Sequence, residues 1–87
     1  MQGTTESGFD WSITEERLDD YELLEVLHRI DTGEYGLVPE MVDKLLGEEQ
    51  RDSLKEHLRT KDGRVSTTGM VSEVMEIFQS TSQGKNC

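Results

Sequence analysis

The sequence predicts an all-α fold: a small single domain of about four helices, with a short extended N-terminal arm and disordered termini. Three observations lead there. Apolar residues recur at helical spacing in successive runs, glycines and turn residues punctuate those runs, and only one short stretch alternates apolar with polar side chains. The chain has 87 residues, which suits one domain. Hydrophobic residues make up 32% of it, sufficient for one modest core and for marginal stability alone. Alanine is absent, so the helices must rest on Leu, Glu, Lys, Arg, Met and Gln.

Residues 1–8 are polar and rich in Gly, Ser and Thr, and are expected to be a disordered N-terminus. Phe9, Trp11 and Ile13 then alternate with Asp10, Ser12 and Thr14, the period of an extended segment with one apolar face. No second clear strand accompanies it. The arm either lies over the chain's own helices or pairs with another chain, which makes self-association one expected partner class.

The helical domain is expected to continue to residue 81. Its first strong helix spans Asp20–Ile30, with Asp19 as N-cap, Glu22 completing a capping box, and Leu18 and Leu23 as a staple. Tyr21, Leu24, Val26, Leu27 and Ile30 give it a wide apolar face before Gly33 and Gly36 break the pattern. A second helix begins at Pro39, which suits a first helical position, and runs to Leu46, where Gly47 interrupts. A third, Glu48–Arg59, carries only Leu54 and Leu58 on its apolar side and a basic stripe of Arg51, Lys55 and Arg59. After a turn at Lys61–Arg64, the last helix spans Thr67–Thr81, with Ser66 before it and Val65 and Met70 at staple positions. Residues 82–87 are expected to be a mobile tail.

The net charge is −10. The stretch through Asp43 holds twelve acidic and two basic residues, the remainder seven of each, so the whole excess lies in the first half. Such a charge repels phosphates and argues against a nucleic-acid partner; it also keeps a small protein in solution. Cys87 is the sole cysteine, so neither an internal disulfide nor a zinc cluster is expected. No run reaches the roughly 18 apolar residues of a membrane span, and residues 1–8 lack the parts of a signal peptide. A cytoplasmic location with no membrane partner is the expectation.

No pattern points to catalysis. His28 and His57 fall on different helices, neither with a second ligand at metal spacing. Adjacent acids such as Glu15 and Glu16, or Asp19 and Asp20, lack the apolar surroundings that would raise one pKa. Asp31–Glu40 lacks the spacing of a calcium loop, and Gly33 and Gly36 lack the lysine of a phosphate loop. No enzyme activity, cofactor or metal is expected.

Two features exceed what a small domain needs. Met70, Val71, Val74, Met75, Ile77 and Phe78 cover more than one face of the last helix. That helix is either the central core helix or a partner surface with adaptable methionines. In the second reading Met70, Val74, Ile77 and Phe78 face the partner, while Val71 and Met75 face the core. Phe9 and Trp11 are the other candidate anchors, with packing on the chain's own core the alternative.

Certain segments are similar to a known family. These are Leu18-Asp19-Asp20-Tyr21-Glu22-Leu23, Leu45-Leu46-Gly47-Glu48-Glu49-Gln50, Leu54-Lys55-Glu56-His57-Leu58-Arg59, Asp62-Gly63-Arg64-Val65 and Met75-Glu76-Ile77-Phe78. In their order and spacing they resemble the small tail assembly chaperones of long-tailed bacteriophages and prophages of Gram-positive bacteria. The resemblance spans Leu18 to Phe78 and contains no catalytic motif. It implies a protein that acts in the host cytoplasm during virion morphogenesis. Such a protein coats the helical tape measure protein, recruits tail tube protein and is absent from the finished particle. It also implies a longer product made by ribosomal frameshifting near the end of the short reading frame. Gly84, Lys85 and Asn86 can be encoded over a slippery A-rich heptamer, although synonymous codons would remove it. The alternative function is a small acidic DNA mimic that inhibits a host DNA-binding protein. The charge-balanced second half argues against it.

Overall fold

The computed structural model describes residues 1–81. It is mostly helical, as expected, with two short strands ahead of four α-helices. Strand β1 (Gln2–Thr4) pairs antiparallel with β2 (Asp10–Ser12). There follow α1 (Glu15–Leu18), α2 (Tyr21–Asp31), a 3-10 turn (Tyr35–Leu37), α3 (Val38–Leu58) and α4 (Thr67–Ser80).

The start of the chain departs from the expectation of disorder. Gly3 lies opposite Trp11 in the hairpin. A Cβ on Gly3 would stand 2.9 Å from the indole, so the missing side chain is what lets the Trp11 ring cross β1. The Met1 ammonium donates to the Ile13 carbonyl at 2.6 Å. The outer edge of β2 is closed by a side chain: Gln50 Nε2 donates to the Ser12 carbonyl, and Gln50 Oε1 accepts from the Ser12 amide, each at 2.7 Å. One amide thus stands in for a third strand. With β2 held on both sides, Phe9, Trp11 and Ile13 point into the core, between 2% and 6% exposed. Phe9 and Trp11 are therefore core residues and not anchors on a free arm.

Thr14 caps α1, a single turn whose one buried residue is Leu18. The cap of α2 is Asp20, whose carboxylate accepts from the Glu22 amide at 3.0 Å. The expected cap, Asp19, instead ends α1. With the helix starting one residue later, the capping box with Glu22 does not form. Leu23, Val26 and Ile30 of α2 are buried.

Helix α3 is two helices joined at Gly47, as the glycine predicts. Gly47 has φ 82° and ψ 166°, a backbone state closed to residues with a Cβ. The break frees carbonyls at the end of the first half. Arg17 of α1 reaches across to cap two of them, donating to Asp43 O at 3.4 Å and Lys44 O at 3.2 Å. Gln50 Nε2 donates to a third, Leu46 O, at 2.8 Å. The break is thus satisfied by side chains from both directions along the chain. Met41, Val42, Leu45 and Leu46 of the first half and Leu54 of the second enter the core.

Ser66 caps α4, accepting from the Gly69 amide at 3.0 Å. Met70, Val74 and Ile77 are 9%, 0% and 0% exposed, so this stripe faces inward. Val71, Met75 and Phe78 are only half-buried. The phase of α4 is therefore the reverse of the partner-facing reading: Met70, Val74 and Ile77 are core. The expected mobile tail, 82–87, and the frameshift position within it lie outside the described residues. Among the described residues, no helix is long and apolar enough to cross a membrane.

Candidate functional site

The outward stripe of α4 does not end at solvent on a smooth surface. It forms one wall of an apolar groove of about 440 Å³, and α2 forms the other. Val71, Met75 and Phe78 face Leu24, Leu27 and Ile30 across it. The width of the apolar face of α2 explains the groove. Leu23, Val26 and Ile30 fill the core, which leaves Leu24 52% exposed. His28, Asp31, Tyr35 and Met41 complete its lining.

Tyr35 also lines a second apolar groove, of about 400 Å³. Val38, Pro39, Val42, Val65 and Met70 form it, and Arg51 and Lys55 border it. Adjacent residues of α4 thus serve different grooves: Met70 the second, Val71 the first. Tyr35 is 67% exposed, held between them by the 3-10 turn. Below that turn, Arg29 and Glu34 make a two-point ion pair, 2.9 Å on each side. The hydrogen bond from Arg29 holds the Glu34 carboxyl below its ordinary pKa.

Charged residues border both grooves. Asp31 borders the first groove, and Glu25 lies beside Leu24 and His28 in an adjoining hollow. Neither carboxylate makes a close ion pair among the described residues, but Glu25 shares its hollow with Arg29 and, after Glu34 and Glu40, adds to the negative charge that raises the Arg29 pKa. At the second groove Arg51 pairs with Asp43 and Asp52, at 2.9 and 3.1 Å. Lys55 makes no close ion pair among the described residues; after the hydrogen bond and charge of Arg59, its own charge helps hold the Glu56 carboxyl below its ordinary pKa.

One polar cluster is buried elsewhere. Glu73, on the core side of α4, is 7% exposed. Its Oε1 accepts from Thr5 Oγ1 at 2.8 Å and from Ser7 Oγ at 3.0 Å. Ser7 Oγ also lies 3.0 Å from His57 Nε2. A hydroxyl has one proton; while Ser7 gives it to Glu73, His57 must be the donor to Ser7. That is the opposite of the arrangement that activates a serine, in which the imidazole accepts. What the cluster does is tie the hairpin tip to α3 and α4, helped by Glu76 Oε2 accepting from the Glu6 amide at 2.8 Å. Among the described residues, no group of three or more His, Cys, Asp or Glu could hold a metal ion.

Of the six candidate partner residues, only Phe78 is at the groove surface without being core; Phe9, Trp11, Met70, Val74 and Ile77 are buried. Leu24, Tyr35, Val71 and Met75 are not among the candidates: by sequence Leu24 counts only as part of the apolar face of α2, and Val71 and Met75 are expected to face the core. The usable signal was the excess width of the apolar face on α2 together with that on α4. Comparison with protein-family models, with curated proteins and with solved structures finds no match for this chain.

Proposed function

We propose that this protein is a tail assembly chaperone of a long-tailed phage or prophage. It binds apolar stripes of the tape measure protein, brings tail tube protein to them and leaves before the virion is complete. The observation that carries the reading is the open apolar groove between α2 and α4, bordered by exposed Leu24 and Tyr35. A groove of two helix faces suits a third, amphipathic helix as occupant. Its walls include Met75, whose flexible thioether adapts to differing stripes. Many weak contacts of this kind along one long partner give high avidity while each stays easily released. The order of sequence segments from Leu18 to Phe78 supplies the family, and the charge of −10 keeps such a groove from gathering copies indiscriminately.

The test is co-purification from cells expressing the tape measure and tube proteins encoded beside this gene. The wild-type chain should retain the tape measure protein, and a Leu24→Asp, Phe78→Asp double variant should lose it while keeping its helical circular dichroism. Retention by the double variant would remove the groove from the mechanism. Absence of tail genes around the reading frame would remove the family. The DNA-mimic reading is disfavoured by the basic Arg51, Lys55 and Arg59 stripe.

A further inference from the structure

The bend in α3 rests on one residue and two side chains. Gly47, at φ 82° and ψ 166°, is the residue of Val38–Leu58 whose backbone is not helical. We propose that this bend is a hinge and that the chain has a second state. In that state α3 runs straight through Gly47, and residues 48–81 leave their own residues 1–46 to pack on those of a second copy. The product is a dimer with exchanged halves. The inference is independent of the preceding reading of function.

Three observations support it. First, the local sequence favours one helix over two. Residues 44–51 read Lys-Leu-Leu-Gly-Glu-Glu-Gln-Arg, strong helix formers apart from the glycine, with none of the Ser, Thr, Asp or Asn that start a new helix. Turning the φ and ψ of Gly47 to helical values completes the helix and gives the freed carbonyls their usual partners four residues on. Second, the bend is held from the N-terminal part of the chain. Arg17 of α1 takes Asp43 O and Lys44 O at 3.4 and 3.2 Å, long for hydrogen bonds. Gln50, which takes Leu46 O, is itself fixed by two bonds to Ser12 of β2. The hairpin and α1 are thus a clamp on a helix that is straight without them.

Third, the contacts across the hinge select the occupant. Residues 1–46 hold residues 48–81 through Thr5 and Ser7 on Glu73, the Glu6 amide on Glu76, and the Phe9 ring beside His57 at 5.7 Å between centroids. The core also draws on both sides: Trp11, Met41 and Leu45 from one, Leu54, Val74 and Ile77 from the other. Straightening α3 turns the two sides away from each other and uncovers all of these together. The surface that matches the uncovered one residue for residue is the same half of another copy. A second chain therefore restores each bond and each core contact, and the two forms differ chiefly at the hinge.

The test is Gly47→Ala, which penalises the positive φ of the bent form and suits the straight one. The full chain is refolded from denaturant at low micromolar concentration and at about a hundredfold more, and its mass is read by light scattering. The penalty falls once on each of two monomers and on neither hinge of the dimer. The dimerisation constant should therefore rise about 30-fold or more over wild type. An Arg17→Ala, Gln50→Ala variant, which keeps the glycine and removes the clamp, should move the same way. Exchange is distinguished from surface association by mixing two preparations of the Ala variant, both carrying Cys87→Ser. One bears a nitroxide on Glu6→Cys at the hairpin tip; the other has labelled methionine methyls. In mixed dimers the Met70 methyl, one turn before Glu73, should broaden as much as it does when both labels share one monomer. Folded Gly47→Ala that stays monomeric at both concentrations overturns the proposal, as does a dimer without that broadening. If Gly47→Ala fails to fold, the clamp variant decides: a monomeric or unfolded product there overturns it as well.

Discussion

Replacing Val74 with Asp should unfold this protein, and replacing its neighbour Met75 with Asp should not. Val74 is fully buried, whereas Met75 borders the groove and is half-buried. A carboxyl forced into an apolar interior has its pKa raised by about 3–5 units, which at neutral pH costs about 4 kcal/mol, since such a group takes up a proton rather than stay charged. Loss of the buried valine adds about 1.5–3 kcal/mol. A domain of 87 residues has in total about 4–13 kcal/mol, at roughly 0.05–0.15 kcal/mol per residue. Together these remove about half of the stability at the upper end of that range and all of it toward the lower end. The Met75→Asp variant keeps its carboxylate in water and forfeits part of one apolar contact, about 1 kcal/mol. Guanidinium titration followed by the fluorescence of Trp11, 5% exposed in the folded state, measures both. The expected result is no cooperative transition for the first variant and a small shift of midpoint for the second. A wild-type-like transition for Val74→Asp, with collapse of Met75→Asp, would show that α4 presents the other stripe to the core, and would restore Met70, Val74 and Ile77 as surface.

Three further outcomes follow from the same packing. Gly47→Ala should destabilise by about 1–3 kcal/mol, since the backbone there is closed to a Cβ and the new methyl would meet Arg17 Nη2 at 2.8 Å; a denaturation midpoint above wild type would contradict it. Glu73→Ala leaves the Thr5 and Ser7 hydroxyls without their acceptor and should cost about 1–3 kcal/mol. Its signature is faster amide exchange at Phe9 than at Leu54, and uniform loss of protection would refute a local role. Because Glu34 and Glu56 have their carboxyl pKa lowered by hydrogen bonds from Arg29 and Arg59, their contribution is present above the usual glutamate range and is lost as pH falls through it. The midpoint should drop less steeply in acid for Glu34→Gln than for wild type, and parallel curves would show the pair to be inert.

The helices were legible because their signals are local. Apolar spacing, the Ser66 cap and the Gly47 break act within a few residues of themselves. The phase of α4 was not legible, because residues 70, 74 and 77 and residues 71, 75 and 78 form adjacent apolar stripes of similar weight. Glu73 lies beside the first stripe and is itself buried. Its burial depends on two hydroxyls some 66 to 68 positions earlier, which no window on α4 contains. The β1 strand was hidden for a related reason. Gln2–Thr4 has no apolar pattern, and its place is set by the Trp11 ring over Gly3, while Gln50 secures its partner strand. The groove was half legible: the breadth of the α2 face was visible, but which of its leucines the core would leave uncovered was not.

The contact between the hairpin tip and α4 also bears on how the chain is made. Thr5, Glu6 and Ser7 wait for Glu73 and Glu76, so the hairpin tip leaves the ribosome 66 to 70 residues ahead of its partners. Until α4 emerges, the hairpin tip lacks its anchor and the inward stripe of the last helix is missing from the core that holds Phe9 and Trp11. The two halves of α3 are local structures and can form early, whereas closing a loop of nearly the whole chain comes late. Completion of this fold is thus set by the arrival of its final helix. A stall or a slow codon upstream of residue 73 would prolong a state in which the aromatic arm is open to other chains.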